Sequence, residues 1–530
     1  MKISIKIFIF LFFLFVFISK LKAQLVLKQK YEIEIKNNDD DKFEVFTLGE
    51  EGVLLFKIKE QSNYKKTKEF IFEKLDTNLV SKQTFNTSLP YHFTQNYQIY
   101  LEKNENLHLL SKPEYGKKIV LYRFNITQFS GELFELEMPN RVEITTFKAI
   151  KDDIYLVGEA NGEEVVVNYN FLSKTQKILP NFFDKNDELN DFQPNFENQQ
   201  MIFGLSDERS RKCNFALKGY SALIGEQKRI NLKTPERETT KKTLKNWRIY
   251  PLSTTELWVF GTYSHNCIQD VSGVFAIKIE NQEQKKAFYK PFFDFFNIYK
   301  HLSKRRAAKL EAKREKARDK KQEKNLIKKV LPHQKLYKIG NQIVWILENY
   351  YTQNNNTTLN NSRLVNPYFY YNQMPRWQSP INVTQNYVHT HATLCAWNEK
   401  GEFLWDNMIN IEESNQKQLE ETISIAQLGD SLVLAYIFNE KIYTKLIHQR
   451  RTIKEETEQK LDDIFKTQYN ISTHRNYALK TWYNQSFLFI DEIDIYTEGK
   501  KKNIFVLQKM NYQKLPPTEK ELKKKLKIKN

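Results

Sequence analysis

Eight short apolar runs punctuate an otherwise polar chain: "GVLLFKI" from Gly52, "NLHLLSK" from Asn106, "DIYLVGE" from Asp153, "QMIFGLS" from Gln200, "ELWVFGT" from Glu256, "QIVWILE" from Gln342, "SLVLAYI" from Ser431 and "SFLFIDE" from Ser486. Each is bounded by Asp, Asn, Gly or Lys clusters and is rich in β-branched and aromatic residues, which predicts strands. Their starts lie 54, 47, 47, 56, 86, 89 and 55 residues apart, so five of seven intervals cluster near fifty. Both long intervals carry an insertion. In the better units a second strand follows the first, as "DIYLVGE" leads through "ANGE" to "EVVVNYNF"; Asn161 and Gly162 suit the left-handed conformations of a tight hairpin. One such unit cannot bury both faces of its small sheet, whereas a ring packs sheet on sheet. The pattern predicts an all-β chain, a β-propeller of seven or eight blades with a charged helical insertion. Multiple β-sandwich domains are the alternative, since turn-separated short strands suit them as well.

The first insertion, over about residues 300–330, contains "SKRRAAKLEAKREKARDKKQEKNLIKK" at 303–329. Its residues are strong helix formers without Gly or Pro, so it predicts a helix. Acids at 311, 315, 319 and 323 form one seam, and the pairs Glu311 with Arg314 and Glu315 with Arg318 offset their repulsion. The second, over about residues 351–386, is rich in Asn and Tyr. Here Tyr350, Tyr351, Tyr368, Tyr370, Tyr371 and Trp377 set flat apolar faces beside amides, the equipment of a surface for sugars or protein partners, and are the candidate binding residues.

Charge changes the picture through its placement. The net charge is +18, but the first 23 residues hold four Lys without an acid, 303–329 carries an excess of nine and 514–530 an excess of five, which leaves the body neutral. A nucleic-acid binder shows a basic face on the fold itself, so no nucleic-acid partner is expected. A weak acidic partner for 303–329, such as anionic headgroups or acidic glycans, fits better.

Lys2 and Lys6, the apolar run 7–18 and the small residue at an expected cut after Ala23 have the layout of a signal peptide spanning 1–23. A retained anchor is the alternative, because Lys20 and Lys22 crowd the cut. No later run reaches the roughly 20 apolar residues that a bilayer span needs. The expected division is signal 1–23, propeller-like domain 24–513 and basic tail 514–530. An aromatic content of 14% supplies a substantial core.

Chemistry is sparse. There is no G-x-S-x-G and no H-E-x-x-H, so no catalytic residue, metal or cofactor is assigned. His389 and His391 would share one face of a strand, which supplies two metal ligands at most. "NNDDDK" at Asn37 and "DEIDIYTEG" at Asp491 lack calcium-loop spacing. Glu348, Asp406, Asp491 and Glu492 stand near strand ends, where a converging pair would suit glycoside chemistry. Cys213, Cys267 and Cys395 form no zinc pattern; they are packing residues, or Cys213 bridges Cys267.

"EKGEFLWDNMINIEE", with "ILENYY" upstream and "FDFFNIYK" further back, resembles an uncharacterised family of secreted bacterial proteins with weak propeller-type repeats, over about residues 246–447. The resemblance implies location and architecture only. The function expected is a non-catalytic binding or scaffold protein, secreted or periplasmic and peripheral to a membrane, whose partner is an envelope protein or a glycan. An extracellular polysaccharide-active enzyme, a glycoside hydrolase or lyase, is the alternative.

Overall fold

All eight quoted runs occupy the same place in the fold: each is the second strand of a small antiparallel sheet, and the computed structural model holds eight such sheets. It describes residues 22–515 except 36–40, 60–66, 91–92, 94–96, 112–117, 139–141, 180–181, 185–186, 208–213, 235–241, 266–270, 320–328, 355–384, 417–418, 466–470 and 498. The sheets are the blades of a propeller, numbered 1 to 8 from the one holding Val53–Lys59 to the one holding Ser486–Thr497.

These strands read as continuous apolar runs because both faces are covered. Alternate residues of blade 1 part to opposite sides: Leu54, Phe56 and Ile58 pack towards blade 2, Val53 and Leu55 towards blade 8. Blade 6 repeats the division, with Val344 and Ile346 towards blade 7 and Ile343, Trp345 and Leu347 towards blade 5. The core is therefore a ring of eight clusters, one at each seam. Aromatic stacks reinforce it, Phe72 on Phe124 with ring centroids 4.1 Å apart and Phe43 on Phe505 at 4.2 Å. Since every sheet shares its core with the sheets before and after it, the sandwich alternative fails.

Blade 8 is assembled from both ends of the chain. Lys22–Ile35 forms its outer strand against Lys500–Leu515, in a ladder from Lys22↔Leu515 to Ile35↔Asn503. A chain cut after Ala23 would keep this ladder from Gln24↔Gln513 onward. Buried carboxylates add polar stitches between neighbouring segments. Asp191 of blade 4 accepts the Ile249 N–H of blade 5 at 2.9 Å, and Glu164 of blade 3 accepts the Leu189 N–H of blade 4 at 2.8 Å.

Strand direction alternates within a blade, so turns after the first and third strands share one face, here the turn face. Turns after the second strand and the blade-to-blade connections share the other, the insertion face. Both insertions belong to the latter: 292–328 connects blade 5 to blade 6, and 355–384 joins the second and third strands of blade 6. The expected helix forms over Lys304–Asp319, outside the ring. Arg314 holds it, donating to the Phe295 carbonyl at 2.7 Å and pairing with Glu311. The expected hairpin at Asn161 and Gly162 joins Asp153–Ala160 to Glu163–Asn170 with φ of 54° and 82°.

Candidate functional site

The first strands of the blades surround a central cavity of about 330 Å³. Aliphatic side chains such as Val45, Ile99 and Leu479 line it together with Lys335, Lys480, Gln193 and Glu421. Residues of six blades thus meet in one space, the usual location for a propeller ligand.

Its ionisable groups are largely engaged. Lys480 of blade 8 donates to the Val45 carbonyl of blade 1 at 2.8 Å; burial lowers its pKa, while Glu44 and Glu420 push it back up. Burial pushes Glu420 up to about 8 against the pull of Lys480, so Glu420 keeps its proton at neutral pH. On the inner strands of blades 3 to 5, Lys148 donates to the Phe192 carbonyl at 2.6 Å and to Gln193 Oε1 at 2.9 Å, and burial lowers it to about 8. Asp191 stands 3.8 Å from Arg248, next along the ring.

Between blades 6 and 7 the cavity borders a buried cluster on Glu348. This carboxylate accepts from His333 Nε2 at 2.7 Å and from the N–H groups of Thr422 and Ile423, each at 2.8 Å. His389 Nδ1 stands 2.8 Å away, within ion-pair range but out of line for a hydrogen bond. Burial alone would raise Glu348, but the two histidines hold it well below the carboxylate range. His333, whose Nδ1 lies 3.6 Å from Glu421, is the converse: burial would lower it, and Glu421 and Glu348 raise it. Glu348 is thus an anion occupied on both oxygens, tying blade 6 to the first strand of blade 7.

The two histidines of "HTH" do not share a face. The ladder shifts register between His389 and His391, and this bulge at Thr390 turns His389 towards Glu348 while His391 stacks on His301 of the blade 5 to 6 connection, ring centroids 4.0 Å apart. Burial places His391 well below its ordinary pKa. The four carboxylates singled out in sequence do not converge either. Asp406 accepts the N–H groups of Phe296 and Asn297 at 2.8 and 2.7 Å, Asp491 pairs with His474 at 2.5 Å, and Glu492 accepts from Asn476 at 2.7 Å. Among the described residues no group of three or more His, Cys, Asp or Glu is placed to hold a metal ion.

Of the candidate binding residues, Tyr350 packs against Tyr387 and His389, and Tyr351 is 40% exposed; both lie on Gln342–Asn354. Tyr368, Tyr370, Tyr371 and Trp377 lie outside the described residues, as do Cys213 and Cys267. Cys395 is a buried free thiol between blades 5 and 6, pushed well above its ordinary pKa by burial. Sequence reading missed Lys148, Glu420 and Lys480: Lys148 and Lys480 are single polar residues on first strands and Glu420 stands in the segment before one, so none carries a spacing signal.

No family model matches the chain, and no curated protein matches it. The propeller-type repeat of the sequence resemblance stands on the eight blades; membership of a family is not shown. Among solved structures the chain is similar to the polysaccharide lyase Uly1, at 8% identity over 78% of this chain and 89% of that one, with a TM-score of 0.35. It is similar to a prolyl endopeptidase at 9% identity over 86% of this chain, TM-score 0.37, and spans only 53% of that protein's length. It also matches the β-propeller domain of the Trilobed protease from Pyrococcus furiosus, at 8% identity over 82% of this chain and 96% of that domain, TM-score 0.32. Likeness this remote carries nothing about activity. No helix among the described residues is long and apolar enough to cross a membrane.

Proposed function

We propose that the chain is an exported, non-catalytic binding propeller that holds an envelope protein or a glycan. The observation that carries this reading is the engagement of Glu348, Asp406 and Asp491 by backbone N–H groups and histidines in three separate places, which gives these acids structural work in place of chemistry. The cavity they leave is lined by aliphatics, Lys335, Lys480, amides and the single carboxylate Glu421, which stands 3.6 Å from His333, a surface that supports a polar partner group. Tyr351, on the strand that leads into the Asn/Tyr-rich insertion, supports contact on the insertion face as well.

One observation favours the polysaccharide-active alternative. Glu420 is a carboxyl that keeps its proton near neutrality, the state a general acid requires. A single experiment separates the two: the chain from Gln24 onward is incubated with arrayed envelope glycans and envelope extract, and both capture and reducing-end release are followed, with Glu420→Gln in parallel. Capture without release, unchanged in the variant, is expected. Release of sugar that Glu420→Gln abolishes would replace the binding reading by the enzymatic one.

A further inference from the structure

We propose that the crevice between blades 4 and 5 on the turn face binds the hydroxyl-rich headgroup of a membrane lipid, with aliphatic turn tips on that face entering the apolar layer. The crevice encloses about 340 Å³. Three turns and the edge segment after Glu226 build its wall, contributing Asn195, Asn198, Gln227, Thr255, Asn281 and Gln282 over an aliphatic floor that includes Ile202 and Leu257. Amides both donate and accept, which matches hydroxyl groups better than it matches a phosphate or an ammonium. The charged residues of the lining are partly spoken for: Lys218 and Glu256 pair with Glu226 and Lys278 at 2.7 and 3.0 Å, and Lys228 is exposed at the edge.

Asn198 is held in the wall by its neighbours. Its Nδ2 donates to Gln200 Oε1 at 3.1 Å and to the Thr254 carbonyl at 3.0 Å, so both of its protons are used. Its Oδ1 is buried and has no hydrogen-bond partner among the described residues.

The rim says where a hydroxyl-rich ligand comes from. Leu252, 51% exposed, lies in a turn that lines the crevice; Leu223 at 80% and Ile224 at 71% tip the hairpin between Ser221 and Gly225 on the same face, and Leu172 on the next blade is 77% exposed. Turn tips ordinarily carry Gly, Asn or Asp, because backbone conformation governs the choice there. Clustered aliphatics at such tips mark a surface that meets an apolar phase. The last rung of the closing ladder, Lys22↔Leu515, lies on this same face. Beyond it the sequence adds six Lys against two Glu at 516–530, complementary to an anionic leaflet.

The test is flotation of the chain from Gln24 onward with phosphatidylcholine vesicles, with the same vesicles doped with a digalactosyl glycerolipid, and with vesicles doped with phosphatidylglycerol. Retention should be stronger on the glycolipid vesicles than on plain ones, and retention on phosphatidylglycerol, which the basic tail favours, should not depend on the crevice. Thr255→Phe, which fills the crevice from an exposed position, should remove that preference, and Leu223→Ser with Ile224→Ser should lower retention on all vesicles by about tenfold, the loss of two partly buried aliphatics. Equal retention on plain and glycolipid vesicles, loss of phosphatidylglycerol retention in Thr255→Phe, or a glycolipid preference unaffected by Thr255→Phe with its melting temperature intact would each overturn the assignment. Strong competition by free galactose with no vesicle retention would assign the crevice to soluble sugar and overturn the lipid reading. The cavity at the ring axis has other residues, so failure here leaves the proposed function standing.

Discussion

At the residue scale, Glu348 and His333 are a buried pair whose pH response can be worked out. Glu348 sits below its ordinary 4.5, so the stability it contributes is present above pH 4.5 and lost as pH falls through its folded value. His333 sits above its ordinary 6.5, so its contribution is complete below pH 6.5 and lost as pH rises through its raised value. The pair is therefore at full strength between these limits. Glu348→Gln should cost about 3 to 5 kcal/mol near pH 6, as removal of one partner of a buried ion pair does. The difference from wild type should shrink at a second, alkaline pH above the raised value of His333, where the ring has lost its proton in both. Urea denaturation at the two values checks this; a difference below about 1 kcal/mol at pH 6 would show that the backbone N–H groups alone hold the seam. Little of this cluster was legible beforehand. Glu348 stands out in "WILENYY" as an acid in an apolar run, but its partners come from positions 333, 389, 422 and 423 on two blades, and the bulge at Thr390 that delivers His389 is a ladder defect that no residue type announces.

At the scale of elements, the charged helix and the second strands show opposite relations to sequence. The helix Lys304–Asp319 is fixed by local propensity, and its described hold on the ring is slight: Arg314 to the Phe295 carbonyl, with the Tyr299 ring 5.7 Å from the guanidinium. Arg314→Ala should lower the melting temperature by no more than about 2 °C, because the half-buried contact it loses joins the helix and not the blades, yet should speed trypsin cleavage within 304–319 several-fold relative to the rest of the chain. Limited proteolysis followed by mass spectrometry reads it, and unchanged cleavage would mean that contacts other than Arg314 dock the helix. The second strands were legible because two packed faces leave no solvent-facing position, as in Asn106–Ser111, where every residue is buried, the polar Asn106, His108 and Ser111 included. First and fourth strands were not. Ser81–Pro90 has one face on solvent and reads as polar, and the inner strand of blade 6 is broken into Lys329–Pro332 and Tyr337–Ile339, so neither resembles a run.

At the scale of the whole molecule, the ring is closed by a strand that the fifty-residue rhythm does not count. Lys22–Ile35 lies before the first unit and completes the last one, a pairing between positions nearly the full chain apart that no local pattern reveals. Its packing is substantial: Leu25 joins the seam of blades 7 and 8, and Ile35 joins that of blades 8 and 1 beside the Phe43 and Phe505 stack. Removing the strand strips cover from both seams at once and leaves Lys500–Leu515 as an open edge, the kind of template that pairs with other chains. Deleting residues 1–35 should therefore lower the melting temperature by roughly 10 °C or more and produce concentration-dependent oligomers. Truncation after Leu515 should do neither, because the closing ladder ends there. Supplying a synthetic peptide of residues 22–35 should recover the monomer, since the edge it fills is left in register by the blade's own ladder from Ser486↔Asn511 to Thr497↔Lys500. Size-exclusion chromatography with light scattering, with and without the peptide, is the measurement. A monomeric deletion variant that melts like the full chain would mean that seven complete blades and a three-stranded eighth already hold the ring, and that the end-to-end pairing is dispensable.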